Sequence, residues 1–319
     1  MGLHPLRTPY PGSFFSRGPA HHDILEYVLS FSHNALVTLM AVLGALVAAG
    51  LLAVWRWSDL EMRVPWRDHA TTPGPLPVWE VVRRYIWYLT IVAIAGVVPG
   101  LVMIGAGGRL AMRLLAVTAG DVAQGRITEA DQIVGNITVD GTMGFVIFFG
   151  VFGGLLTGAL YVLIERWLPE GRWGGLTYGA LLLVLGGTRL EPLRPENPDF
   201  DIVGPGWVSV IVFVALGLAH GMLVAAIASR YSRLLPPISK RPGAIAAHVP
   251  LVIYGMAFPV LVPIVGVGVL ATVLSRSAKI RRLIASARIE KAGRVLGVAL
   301  AAIALPGFAA ALIDIAGRA

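Results

Sequence analysis

The chain has no cysteine among its 319 residues. That excludes disulfides, thiolate metal sites, iron–sulfur clusters and thiol nucleophiles, and it leaves the redox compartment open. Charge is scarce as well. Only 14% of residues are charged and 56% are hydrophobic, whereas a soluble domain carries about a quarter charged. With a mean hydropathy of +0.75, this is a membrane composition before any segment is considered. Site signatures are missing too: there is no GxxxxGK[ST], no HExxH, and no lysine in the final apolar run for a retinal Schiff base. Gly105 to Gly108 reads GAGG, but it follows an apolar helix rather than a strand, so it is not a dinucleotide loop. No repeat of fixed period is evident.

What is present is a series of long apolar runs. About 20 residues at roughly 1.5 Å rise cross a hydrocarbon core. Spans are expected at Asn34–Trp55, Tyr85–Ala106, Met143–Ile164, the short Gly174–Thr188, Trp207–Ser229 and Val295–Ile315. Residues 1–32 have no apolar stretch behind a basic start. They read as an arm rather than a signal peptide, with a short surface helix near Asp23–Phe31. Residues 33–319 read as one transmembrane domain, because little chain is left over for a soluble one. Pro99 is expected to kink the second span.

The segment 248–274 is apolar but carries Pro250, Pro259 and Pro263. It reads either as a kinked seventh span or as a re-entrant hairpin turning at Phe258 to Pro263. Charge separates the two. A simple span distributes Lys and Arg evenly over the two faces. A hairpin places eighteen of the 26 basic residues on one face, with seven acids, against eight basic residues and eleven acids on the other. Cytoplasmic loops are enriched in Lys and Arg. The expected fold class is therefore all-α, a polytopic transmembrane bundle of six spans plus a re-entrant hairpin, or seven spans. The expected location is the cell membrane, with the N-terminus extracytoplasmic.

Net charge is +8, but the basic residues flank apolar runs and form no separate basic domain, so no nucleic-acid partner is expected. In 275–294, Ile280, Leu283, Ile284 and Ala287 recur with helical spacing and Arg and Lys fill the other face. That pattern suits anionic lipid headgroups.

Polar groups gather in two outer connections, 107–142 and 189–206. Arg109 and Arg113 are one helical turn apart. They read as an anion clamp, since guanidinium forks suit phosphate or carboxylate, or as snorkelling side chains paired with Asp121 or Glu129. Asp121, Glu129, Asp131, Asp140, Glu191, Asp199 and Asp201 are oxygen ligands of the kind hard cations take, though without DxDxDG spacing. His220 is the one histidine well inside a span, and a hydrogen bond across a helix pair is the plainest role for it. Gly150, Gly154 and Gly158, and Gly217 and Gly221, form small-xxx-small ladders for helix packing. No cofactor is predicted. The leading expectation is a non-catalytic accessory or membrane-organising subunit with a protein partner or as a homo-oligomer. The alternatives are a transporter or channel using 248–274, and a membrane enzyme acting on a lipid-linked phosphorylated substrate at the outer face.

Overall fold

A computed structural model describes residues 19–66, 74–253 and 258–318. The described residues are helical apart from connections and one isolated bridge between Ile127 and Ile133. Among the described residues, five helices are long and apolar enough to cross a membrane: Asn34–Trp57, Val78–Thr118, Val139–Trp167, Gly206–Leu234 and Ala287–Ala316.

Helix α1 is continuous over Pro19–Trp57, so the helical spacing near Asp23–Phe31 belongs to the same rod as the first span. Residues 1–18 of the expected arm lie outside the described residues. Helix α2 (Val78–Pro99) does not stop at the GAGG stretch. It widens into π-helical register over Gly100–Gly107 and continues as α3 (Gly108–Thr118). Pro99 has no N–H to donate and its ring crowds the preceding turn, and a π insertion absorbs such a defect without ending the helix.

Helix α4 (Val139–Ile164) starts at Thr138, whose hydroxyl accepts from Gly141 N–H at 3.1 Å, an N-cap. Helix α5 (Arg172–Leu182) also passes into π register, over Leu183–Gly187. Helix α6 (Gly206–Leu234) follows, then the short α7 (Pro242–Ala246), α8 (Phe258–Ser275), α9 (Ala278–Ile284) and α10 (Ala287–Ala316). Helix α8 runs unbroken through Pro263, so the turn expected at Phe258 to Pro263 is not there. Pro259 sits in its first turn, where its missing N–H has no intrahelical partner to lose.

The core is organised by backbone contact. A Cβ on Gly100 would stand 2.0 Å from the Gly150 carbonyl oxygen, and one on Gly96 would stand 2.3 Å from that of Gly154. Across the α5–α6 seam, a Cβ on Gly221 would stand 2.3 Å from Gly179 N. Side chains are excluded at these positions, and the helix axes approach closely.

The two seams have the same plan, so a repeat is present although its period is not fixed. Each outgoing helix carries a GxxxG pair (Gly96 and Gly100; Gly175 and Gly179). Each then enters π register and reaches a Gly-Gly pair (Gly107-Gly108; Gly186-Gly187). Each connection contains Ile-Val-Gly, with the glycine at positive φ, 88° at Gly135 and 66° at Gly204. Each return helix buries a hydroxyl in its first turn, Thr142 and Ser209, and carries a second GxxxG pair (Gly150 and Gly154; Gly217 and Gly221). Each ends at a buried leucine followed by proline, Leu168-Pro169 and Leu235-Pro236. The first hairpin differs mainly by the inserted α3.

Candidate functional site

The polar side chains fall into three places: an arginine-rich end, an acidic end, and a small cluster between the two hairpins.

At the arginine-rich end, long side chains bind the helix ends to one another. Arg172 makes two bonds to Asp59, at 2.9 and 2.8 Å. Arg63 N–H donates to Ser232 Oγ at 2.8 Å and Arg233 donates to the Glu61 carbonyl at 3.1 Å. Trp66, Trp87 and Tyr88 form an edge-to-face trio, and the Arg84 guanidinium lies 5.4 Å above Trp66. Glu80 holds both Arg83 and Arg84, at 3.2 and 3.0 Å.

The 238–276 segment is anchored here at both of its ends. Arg83 Nε–H donates to the Ile238 carbonyl at 2.9 Å, and Leu76 N–H donates to the Arg276 carbonyl at 3.2 Å. Between these anchors, His248 Nδ1 meets Thr90 Oγ1 at 2.7 Å, and Ile253 packs with Val92, Val97 and Leu155. Arg281 is 6% exposed and donates to the Gly74, Ser275 and Arg276 carbonyls at 2.8–3.0 Å. This member of the basic 275–294 face therefore ties α9 to the start of α2 and does not face lipid. Arg166 reaches the Ile284 carbonyl, and Trp167 fills the space beside Gly293.

At the acidic end, the 107–142 and 189–206 connections come together. Arg194 bonds Glu129 and lies 3.4 Å from Glu191, while the Asp199 carboxylate accepts from Glu129 N–H at 2.8 Å. Arg318 lies 3.6 Å from Asp201, bonds Asp314 at 2.6 Å and donates to the Pro195 carbonyl at 2.7 Å. Burial raises the Glu191 carboxyl above its ordinary value, Arg194 opposes this, and Glu129 and Asp199 add to it. Among the described residues no three His, Asp or Glu side chains gather in a metal-holding group. Asp121, Asp131 and Asp140 stand exposed and apart from the Glu129–Glu191–Asp199 set, with Asp131 in a tight turn at φ 55°. Of the acids that do meet, Glu129 and Glu191 are bound to Arg194.

Arg109 does not pair with Asp121 or Glu129. Its Nε–H donates to Thr142 Oγ1 at 3.1 Å, and Thr142 is fully buried. Arg113 is exposed one turn further along α3.

The third place is the seam between the hairpins. His220 is 4% exposed, and its Nε2 lies 2.9 Å from Thr157 Oγ1. Thr157 Oγ1 also lies 2.9 Å from the Gly153 carbonyl, and Tyr178, 1% exposed, donates its O–H to the Thr157 carbonyl. Tyr178 meets Tyr161 edge-on at 5.2 Å. The direction of the Thr157–His220 bond depends on which ring nitrogen carries the proton, and the Pro99 carbonyl is the ring's other polar neighbour. The contact joins His220 of α6 to Thr157 of α4.

Sequence reasoning missed Thr157, Tyr178, Thr142, Arg194, Arg281 and Arg318. Each acts on a partner far away in the chain, a relation that local spacing does not encode. The chain matches no family model, no curated protein and no solved structure.

Proposed function

We propose that the protein is a non-catalytic, multi-pass subunit of the cell membrane, acting through its surfaces on a protein partner or a second copy of itself. The observation that carries this reading is the backbone-to-backbone packing of both glycine seams, with a Cβ on Gly100 or Gly221 falling 2.0 and 2.3 Å from the facing chain. Seams this tight leave no room along them for a solute. The ionic groups at the two ends are largely spent on binding helix ends together.

The architecture under this reading is six spans plus a re-entrant 248–274 segment, with both termini extracytoplasmic. Support comes from the two anchors at the start of α2, Ile238 beside Arg83 and Arg276 beside Leu76, with Ile253 deeper along the same helix. The charge asymmetry points the same way, since eighteen of the 26 Lys and Arg belong to that end. Apart from Arg294, which bonds Glu290 at 2.6 Å, the remaining basic residues of 275–294 are available for anionic headgroups. No cofactor enters this reading.

The experiment is purification of a tagged chain in mild detergent from its native cell, followed by native mass measurement. A fixed stoichiometric complex, or a defined homo-oligomer, supports the subunit reading. A monomer whose loss alters solute uptake sinks it.

One observation favours a second reading, a transporter. Thr157, Tyr178 and His220 meet between two parallel-running hairpins, each with a π-distorted helix, and transporter sites lie at such repeat interfaces. Loss of uptake in Pro259→Ala and Pro263→Ala variants would favour that reading. A lipid-phosphate enzyme would need acids beside Arg109. Glu129 and Glu191 are instead held by Arg194, and Asp201 lies near Arg318.

A further inference from the structure

The two hairpins diverge at one place, and the divergence exposes a cation pair. In the second hairpin the chain turns away after Gly187, and Arg189 donates to the Leu185 carbonyl of its own helix at 3.2 Å. In the first hairpin the helix runs on past Gly108 as α3 and carries Arg109 and Arg113 on one face. Arg109 is half-buried, and Thr142 holds only its Nε, which leaves the two terminal guanidinium nitrogens to point elsewhere. Among the described residues neither arginine forms an ion pair, while Arg194 and Arg318 at the same end each meet carboxylates. A half-buried cation at the end of a membrane span is costly without an anion, and no described carboxylate pairs with either arginine here.

We propose that Arg109 and Arg113 form a phosphate-binding site at the acidic end of the bundle. Thr142 sets the Arg109 fork, and α3 exists to carry it. The ligand chemistry is a phosphate bearing net negative charge, received by the two forks. The exposed apolar side chains of the same helix (Met112, Leu114 and Val117) suit an anionic phospholipid whose chains lie beside α3. The proposal does not depend on the subunit reading.

The test uses the purified full-length chain in detergent, with thermal unfolding followed while phosphatidylglycerol, phosphatidylcholine or inorganic phosphate is added. The wild type is expected to be stabilised more by phosphatidylglycerol than by phosphatidylcholine. Arg113→Gln, whose side chain is exposed and leaves the fold intact, should weaken that preference about tenfold in apparent affinity, the loss of one charge-assisted pair. Arg109→Gln should abolish it, and Arg126→Gln, another exposed arginine of the same end, should leave it unchanged. Inorganic phosphate that reproduces the stabilisation and competes with the lipid would identify free phosphate as the source. Its failure to do so would identify the headgroup. A lipid preference that survives in both Arg109→Gln and Arg113→Gln, or that falls equally in Arg126→Gln, overturns the proposal.

Discussion

Gly154 of α4 meets Gly96 of α2 with nothing between their backbones: a Cβ on Gly154 would lie 2.4 Å from the Gly96 carbonyl oxygen. Gly221 stands in the same relation to Gly179 in the second hairpin. Membrane helices gain little from hydrophobic burial, because lipid is as apolar as leucine, so close van der Waals packing must supply the association. The two seams are therefore where stability is most sensitive to added volume.

Gly154→Val and Gly221→Val should each destabilise the bundle by at least the ~1–3 kcal/mol typical of overpacking. Gly307→Val, on α10 with no atom within 4 Å of its would-be Cβ, should be close to neutral. Reversible unfolding in mixed micelles reads all three. Equal effects at the three sites would show that the seams are not special.

Thr157→Val removes the His220 partner while keeping the shape. Double-mutant cycles for such intramembrane bonds give about 0.6 kcal/mol on average, up to ~1.7. A cycle of Thr157→Val with His220→Leu should return a coupling in that range. A coupling of zero would mean that the 2.9 Å contact contributes nothing.

The Glu191 carboxyl is raised by burial, so its ionised form is penalised in the fold. A raised carboxyl contributes stability that is fully present below its unfolded value and lost as pH rises through the folded value. Glu191→Gln should therefore be neutral or stabilising at pH 7. Its advantage over the wild type should shrink as pH falls toward the ordinary carboxylate range. Glu129→Gln, which removes the Arg194 partner, should loosen the outer connections at neutral pH, seen as faster proteolysis near Arg126. Matching pH profiles for wild type and Glu191→Gln would remove the buried-carboxyl account.

The absence of cysteine makes topology directly readable. Ser239→Cys and Ala285→Cys flank the 248–274 segment, and a re-entrant path predicts that an impermeant thiol reagent labels both from the cytoplasmic side. Labelling from opposite sides would make the segment a span.

The run of apolar segments and two of the glycine ladders were legible in the sequence, because hydrophobic length and small-xxx-small spacing are local signals. Their partners Gly96, Gly100, Gly175 and Gly179 carry the same spacing and could have been found the same way. The second apolar run stops at Ala106, yet the helix continues past it into α3. Glycine within a membrane helix is tolerated because neighbouring backbone satisfies the freed groups. The repeat stayed hidden because α3 is inserted into one hairpin only, which shifts the spacing between matched positions from one part of the unit to the next. Arg109 was legible as a site candidate, but its partner Thr142 and the capture of Glu129 by Arg194 depend on how the hairpins fold back on each other.

The subunit reading requires a sealed, dry bundle interior. Thr157→Cys places a thiol beside His220, at the seam where a solute path between the hairpins would pass. A small, charged methanethiosulfonate reagent reacts only with thiolate that meets water. The account predicts no labelling of Thr157→Cys from either side of intact membranes, under conditions in which Ser239→Cys is fully modified. Modification of Thr157→Cys at a comparable rate would contradict it and return the protein to the transporter class.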